Sequence, residues 1–123
     1  MYQPYKYYLR PAYGSDELLL EFSINSDVQE FFKDLFKTLE SIDPKIESLD
    51  DLWMNDEVLL HVDSIQGRFL LSKDVWGFAF IMAEKNQSCI KFINDILAKS
   101  SLFEKVEVDF ENYKISKKIR TLK

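Results

Sequence analysis

His61 is the only histidine in the chain and the first residue to consider for chemistry. It lies in the middle of a predicted strand, two residues from Asp63, and a histidine beside a carboxylate is placed to act as a general base. Nuclease-like or hydrolase-like chemistry would also require a nucleophile or cations that stabilise developing negative charge. The same strand face is predicted to present Leu59, Ser72 and Asp74 instead. We therefore expect no enzymatic activity and assign no catalytic residue.

Metal and cofactor sites are not expected either. Asp50, Asp51, Asp56 and Asp63 could hold Mg²⁺, but their spacing lacks the mid-loop glycine and closing glutamate of a calcium loop. One cysteine, Cys89, and one histidine cannot complete a tetrahedral zinc shell without several carboxylates, and a single cysteine excludes an internal disulfide. The three glycines stand alone, so no phosphate-binding loop is predicted.

The charge of the chain is unevenly distributed. The net charge is −5, yet residues 114–123 hold five basic residues and no acid, which leaves 11 basic and 21 acidic residues in positions 1–113. Positions 1–113 thus carry a net charge of −10, which repels phosphate backbones and attracts cationic partners. The alternative explanation of this charge is solubility alone. We predict one domain over 1–113 and a basic tail over 114–123. No apolar run of about 18 residues and no signal-peptide order occur, which favours a cytoplasmic protein without membrane contact.

The elements that must position these residues centre on a predicted three-stranded segment. Alternating side chains predict strands at Glu57–Ile65, Phe69–Asp74 and Val75–Ala83, and Gly67 marks the hairpin turn between the first two. The last of them has almost no polar member. This pattern is typical of a central strand that is covered on both faces or nearly so.

The N-terminal part of the chain predicts a hairpin followed by a helix. Tyr5–Arg10 and Leu18–Ile24 alternate as strands, and the prolines that flank the first strand favour an edge position. Ser26 is predicted to cap a helix whose apolar stripe faces the sheet and which ends before Pro44.

The remaining segments complete the predicted order β-β-α-β-β-β-α-β. The connection Asp43–Asp56 contains at most one helical turn, at Ile46–Leu52. Asn86 or Ser88 is predicted to cap a second helix that runs to about Ser100. Phe103–Phe110 is the last predicted strand, on which alternate acids would form an anionic ridge. The acids of that ridge are Glu107, Asp109 and Glu111. The fold class is therefore α+β, an antiparallel sheet with two helices packed on it.

Trp53 lies among acidic residues in the predicted connection. Asp50, Asp51, Asp56 and Glu57 surround it, and a tryptophan with an acidic rim is typical of an interface hot spot. The alternative is that Trp53 closes the bottom of the core while the acids face water.

A small, acidic, aromatic-rich α+β chain without catalytic motifs resembles the immunity proteins of bacterial polymorphic toxin systems. It is most similar to those of contact-dependent growth inhibition. The segments that carry the likeness are Leu52–Leu60, Val75–Phe80 and the acidic segment Phe103–Glu111.

The resemblance implies a protein that binds a cognate toxin domain, often a basic nuclease, and blocks its active site or substrate groove. Acidic side chains would then mimic phosphates and accelerate association, while a buried anchor such as Trp53 would slow dissociation. The candidate partner-binding residues are Asp50, Asp51, Trp53, Asp56, Glu57, His61, Asp63, Glu107 and Asp109. The free protein is expected to be a monomer or a homodimer that does not bind nucleic acid itself. The alternative is a homo-oligomeric or adaptor domain whose open sheet edge pairs with another copy.

Overall fold

A computed structural model of the chain describes residues 4–12, 14–24, 28–52, 57–74 and 77–113, with only the backbone described at 28, 51 and 52. Within them, seven strands form one sheet and two helices pack on it, which confirms the predicted α+β class. The strands are β1 Tyr5–Pro11, β2 Leu18–Ser23, β3 Lys45–Leu52, β4 Glu57–Asp63, β5 Phe69–Asp74, β6 Phe78–Met82 and β7 Phe103–Lys105; the helices are α1 Val28–Thr38 and α2 Gln87–Lys99. Short 3-10 turns occupy Glu40–Ile42 and Phe110–Tyr113. None of the described helices is long and apolar enough to cross a membrane.

The strand order across the sheet is β3-β4-β5-β6-β2-β1-β7. All neighbouring strands are antiparallel except β1 and β7, which are parallel. β6 occupies the centre, as its apolar sequence predicted. The hairpin between β4 and β5 turns at Gly67, whose φ of 100° is strained for residues with a Cβ.

Both helices cover the same face of the sheet, here called the helix face. Every third or fourth residue of each helix is apolar, and these stripes join the buried strand residues in one continuous core. The helix residues at its centre are Phe31 and Leu35 of α1 and Ile90, Ile93 and Leu97 of α2. Five aromatic rings pack together where β1, β2, β7 and α1 meet, with centroids 5.2 to 6.4 Å apart. They belong to Tyr5, Tyr7, Phe22, Phe31 and Phe103.

The opposite side of the sheet, here called the open face, has no described helix over it. The sequence predicts a strand covered on both faces or nearly so, and the described helices cover one of the two faces of β6. Ala79 and Ile81 are fully buried on the helix face, whereas Phe80 and Met82 on the open face are only half-buried and Phe78 is 38% exposed. The face of β6 that carries Phe78 and Phe80 is thus the face that neither described helix covers.

β3 is a strand that the sequence did not predict. A helical turn was expected at Ile46–Leu52, but this segment pairs with β4 from Lys45 opposite Asp63 to Leu52 opposite Glu57. The order along the chain therefore gains one strand, β-β-α-β-β-β-β-α-β. Cross-strand pairing to an established neighbour determines the structure here, rather than local propensity.

The last strand is shorter than predicted. β7 ends at Lys105, and the N–H of Val106 donates to the carbonyl of Tyr7 before the chain leaves the ladder. Glu107 and Asp109 follow in irregular backbone, so the predicted ridge of strand-spaced acids is wrong. The apolar residues of the predicted strand beyond Lys105 are poorly buried: Val108 is half-buried and Phe110 is 43% exposed. This apolar burial is too small to stabilise a longer strand.

β1 is not an edge strand, contrary to its prediction. β7 pairs with Tyr5–Tyr7 only, at the end of β1 away from Pro11. The missing N–H of Pro11 therefore lies outside the ladder with β7, and the proline does not prevent pairing there.

Candidate functional site

Negative charge is concentrated at one edge of the sheet. Residues 40–63 contain eight acids and one lysine, a formal charge of −7, whereas the whole chain carries −5. The described part of this segment forms the end of the α1 connection and strands β3 and β4. These two strands and residues 40–44 before them are called the acidic edge below.

β3 is exposed along its length. All side chains from 45 to 50 are exposed, including those of Ile46 and Leu49, which are 53% and 56% accessible. The strand pairs with β4 on one side, and among the described residues no strand pairs with its other side. Alternate backbone N–H and C=O groups of β3 therefore point away from the sheet, as in other edge strands.

The two faces of β3 have different chemistry. Ile46 and Leu49 lie on the helix face, whereas Ser48 and Asp50 lie on the open face. An irregularity of the ladder between Ile46 and Ser48 inserts Glu47 as an extra residue. The edge therefore presents an apolar side and a polar, acidic side to anything that lies beside it.

His61 lies on the open face, as predicted, and contacts a carboxylate. Its Nε2 is 2.8 Å from Oδ2 of Asp50 across the β3–β4 ladder, and both side chains are partly exposed. The buried hydroxyl of Ser72 donates instead to the carboxylate of Glu57. Because the histidine and the serine contact different carboxylates, this arrangement does not form the acid–base–nucleophile chain of a hydrolase.

An open cleft of about 370 Å³ lies next to His61 on the open face. Leu70 and Met82 form its apolar floor, and an ion pair between Arg68 Nη2 and Glu47 Oε2, 3.2 Å long, lies in its wall. The cleft combines β3, β4, β5, β6 and the turn before α2. Its lining residues are far apart in the sequence, so sequence reasoning had no signal for it.

The structure brings together only part of the predicted partner-binding set. Asp50, Glu57, His61 and Asp63 lie on β3 and β4, and the carboxylate of Asp63 accepts the N–H of Ser64 at 3.1 Å. The backbone of Asp51 is in β3, but its side chain is not described. Trp53 and Asp56 lie outside the described residues, so neither the hot-spot nor the core interpretation of Trp53 is tested.

Glu107 and Asp109 lie at the other edge of the sheet. Six strand spacings separate β3 from β7, which is about 29 Å of sheet. The Glu107 carboxylate is 3.8 Å from Nζ of Lys105, and the Asp109 carboxylate accepts the N–H of Glu111. The predicted candidates therefore form two separate groups and not one continuous surface, and members of both groups make local contacts.

Two buried titratable groups contribute no reactive chemistry to the acidic edge. Burial raises the pKa of the Cys89 thiol, so it stays protonated in the core of α2, although a hydrogen bond to Ser64 acts in the opposite direction. Burial also raises the pKa of Tyr7, and the negative charges of Glu107 and Asp95 raise it further. Among the described residues, no group of three or more His, Cys, Asp or Glu side chains is placed to hold a metal ion.

Comparisons of the chain with protein-family models, with curated proteins and with solved structures find no match. The acidic edge is therefore interpreted from its own geometry. Its distinguishing features are an outer strand side that no described strand pairs with, concentrated negative charge and exposed apolar side chains. Together they are typical of a surface that binds another protein.

Proposed function

We propose that this protein is an immunity protein that binds a cognate toxin domain through the acidic edge. The toxin domain is a basic nuclease, and the acidic edge covers its active site or substrate groove. One observation carries the proposal: residues 40–52 and 57–63, which form the acidic edge, contain seven acids and one lysine, a formal charge of −6, and the outer strand of this edge is exposed. A groove that binds nucleic acid is cationic, so the same groove attracts a carboxylate-rich edge.

The acids and the apolar side chains of the edge have separate roles in the proposed complex. Carboxylates such as those of Glu47 and Asp50 attract the basic partner over several ångströms and accelerate encounter. Ile46 and Leu49 lose contact with water when the partner arrives, which slows dissociation. Charge thus sets the rate of association and the choice of partner, while apolar burial sets the lifetime.

The experiment that tests the function uses the toxin domain encoded next to this protein. Isothermal titration calorimetry of the two proteins is expected to give a 1:1 complex. The Kd is expected to rise at least about tenfold between low and high salt, because ions screen the charges on both surfaces. Loss of nuclease activity in the mixture shows that binding neutralises the toxin. A neighbouring toxin domain that does not bind would contradict the proposal.

A homodimer or adaptor domain is the second candidate, and the unpaired side of β3 favours it. Pairing two copies of β3 would extend the sheet across the interface. Against this, each copy of β3 carries three acids and one lysine, so the two edges repel each other. Light scattering on the isolated protein is expected to give the monomer mass at low salt. A dimer that disappears when Leu49 is replaced by lysine would support the second candidate.

A further inference from the structure

We infer that β3 binds its partner by strand addition: an extended segment in which lysine or arginine alternates with apolar residues lies beside β3 and extends the sheet. The inference deepens the proposed function by naming the mode of binding and the chemistry of the segment, and it rests on that function only for the identity of the partner. Strand addition to an open sheet edge obtains affinity from backbone hydrogen bonds and specificity from alternate side chains.

The backbone of β3 provides a regular stretch for such pairing. The irregularity of the β3–β4 ladder ends at Ser48, and from Ser48 to Leu52 the residues are paired one to one with β4. Within the described residues the outer side of this stretch has no partner strand. Five residues in regular register are about the length of a typical strand contact in a sheet.

The side chains of β3 determine the pattern of the incoming segment. Residues of the incoming segment on the helix face would contact Leu49, which is 56% exposed. Residues of the segment on the open face would contact Ser48 and Asp50. Apolar side chains are therefore favoured on one face and cationic side chains on the other. Because the faces alternate along a strand, the segment must alternate cationic and apolar residues.

A second cleft at the start of β3 extends this surface. It measures about 350 Å³ and is lined by apolar Phe36, Pro44 and Ile46 and by acidic Glu40 and Asp43, the latter 3.5 Å from Nζ of exposed Lys45. An aliphatic stem against the walls and a cationic head between the carboxylates would fill it, which describes a lysine or arginine side chain. The cleft therefore favours the same chemistry as the strand beside it.

Charge disfavours a second copy of the same strand as the occupant. β3 contains Glu47, Asp50 and Asp51 against Lys45, so a self-paired edge would place like charges opposite one another. A basic segment changes the sign of these interactions. The same acids of β3 thus oppose self-association and favour a cationic partner.

The test uses a synthetic peptide and the intact protein. The peptide matches the eight residues of β3 in length, and its lysines alternate with valine. Amide hydrogen exchange measured by NMR is expected to show new protection at alternate amides of residues 48–52 when the peptide binds. A control peptide of the same sequence, N-methylated at alternate positions, keeps the charge but loses one row of N–H donors. It is expected to bind at least about tenfold more weakly.

Matched variants of the protein separate the edge from general charge. Leu49→Lys introduces a cation on β3 and is expected to weaken peptide binding at least about tenfold, whereas Ile65→Lys makes the same charge change in the β4–β5 turn and is expected to have about a twofold effect. The urea midpoints of both variants check that they fold. Absence of peptide binding, equal binding of the N-methylated peptide, or binding without protection in β3 would each overturn the inference. The peptide experiment does not use the toxin domain. If the proposed function fails, the peptide experiment therefore still tests strand addition to β3.

Discussion

The two edges of the sheet differ in length, burial and charge. β7 has three residues, pairs in parallel with β1, and contributes Phe103, which is 5% exposed and packs against other aromatic rings. β3 has eight residues, and its described side chains are exposed. One edge is short and tied into the core, while the other is long and accessible.

This difference connects the β7 edge to the core and leaves the β3 edge as the surface to which the proposed binding is assigned. Burying apolar area contributes about 25 cal/mol for each Å², so the aromatic cluster at β7 contributes to folding in a way that half-exposed Leu49 cannot. Conversely, an edge strand whose side chains are already buried has little surface to offer a partner. Substitutions at the two edges are therefore expected to affect different measurements.

The largest expected effect separates the two edges by stability. Phe103→Ala is expected to lower the free energy of unfolding by about 3–5 kcal/mol, because it leaves a cavity among buried rings. Leu49→Ala is expected to change it by less than about 1 kcal/mol, because the side chain is half-exposed. Urea unfolding measures both. Equal losses would show that β3 is as much part of the core as β7.

The next effect compares two arginine–glutamate pairs on the open face, one on strands β1 and β2 and one beside β3. Arg10 Nε is 2.6 Å from Glu21 Oε1, with side chains 8% and 19% exposed, and the guanidinium lies over the rings of Phe80 and Tyr113. Arg10→Ala is expected to destabilise the protein by about 3 kcal/mol, because it leaves the largely buried carboxylate of Glu21 without its cationic partner.

The exposed counterpart of this pair is Arg68 with Glu47, beside the cleft. Arg68→Ala is expected to lower the free energy of unfolding by no more than about 1 kcal/mol, because solvent screens the pair. Urea unfolding at two salt concentrations measures both variants. A loss for Arg68→Ala as large as that for Arg10→Ala would contradict the assignment of stability to the β1 side.

The smallest effect concerns alkaline pH. Folding raises the pKa of Cys89 and of Tyr7, so the folded protein keeps protons that the unfolded chain releases above their ordinary values of 9.0 and 10.0. Stability from these groups is therefore fully present below about pH 9 and is lost as the pH rises through and above these values.

Tyr7→Phe isolates one part of this loss. The Tyr7 hydroxyl is fully buried and has no hydrogen-bond partner among the described residues, so its removal is expected to leave stability near pH 7 unchanged within about 1 kcal/mol. In this variant the free energy of unfolding should decline less steeply above about pH 10. Urea unfolding across the pH range measures it. Tyr8 is half-buried and lies on the open face, so Tyr8→Phe is the matched control. It should leave the alkaline decline of the free energy of unfolding in place. An unchanged decline in Tyr7→Phe would contradict the account.

Much of the fold follows from sequence periodicity, and the exceptions have identifiable causes. The β4–β5 hairpin, the central strand and both amphipathic helices are visible as period-two or helical patterns. β3 is not, because the inserted Glu47 places Ile46 and Leu49 three residues apart on the same face, which imitates helical spacing. The end of β7 was missed for the opposite reason, since alternation continues to Phe110 without a neighbour to pair with.

The candidate site was predicted in composition but not in arrangement. Counting charges identifies an acidic body, and Asp50 and Asp63 are recognisable as exposed acids from their pattern. Which acids share a surface depends on the strand order, and that order is not encoded in any local pattern. The sequence therefore could not show that Glu107 and Asp109 lie an entire sheet away from β3 and β4.

The most direct test of the acidic edge compares the two groups of acids. The double variants Glu47→Gln/Asp50→Asn and Glu107→Gln/Asp109→Asn each remove two negative charges, so they change the net charge equally. Calorimetric titration with the toxin domain at low salt is expected to give at least about tenfold weaker binding for the first variant and a change within about twofold for the second. Equal losses, or a greater loss for the second variant, would contradict the assignment of binding to the β3–β4 side of the sheet.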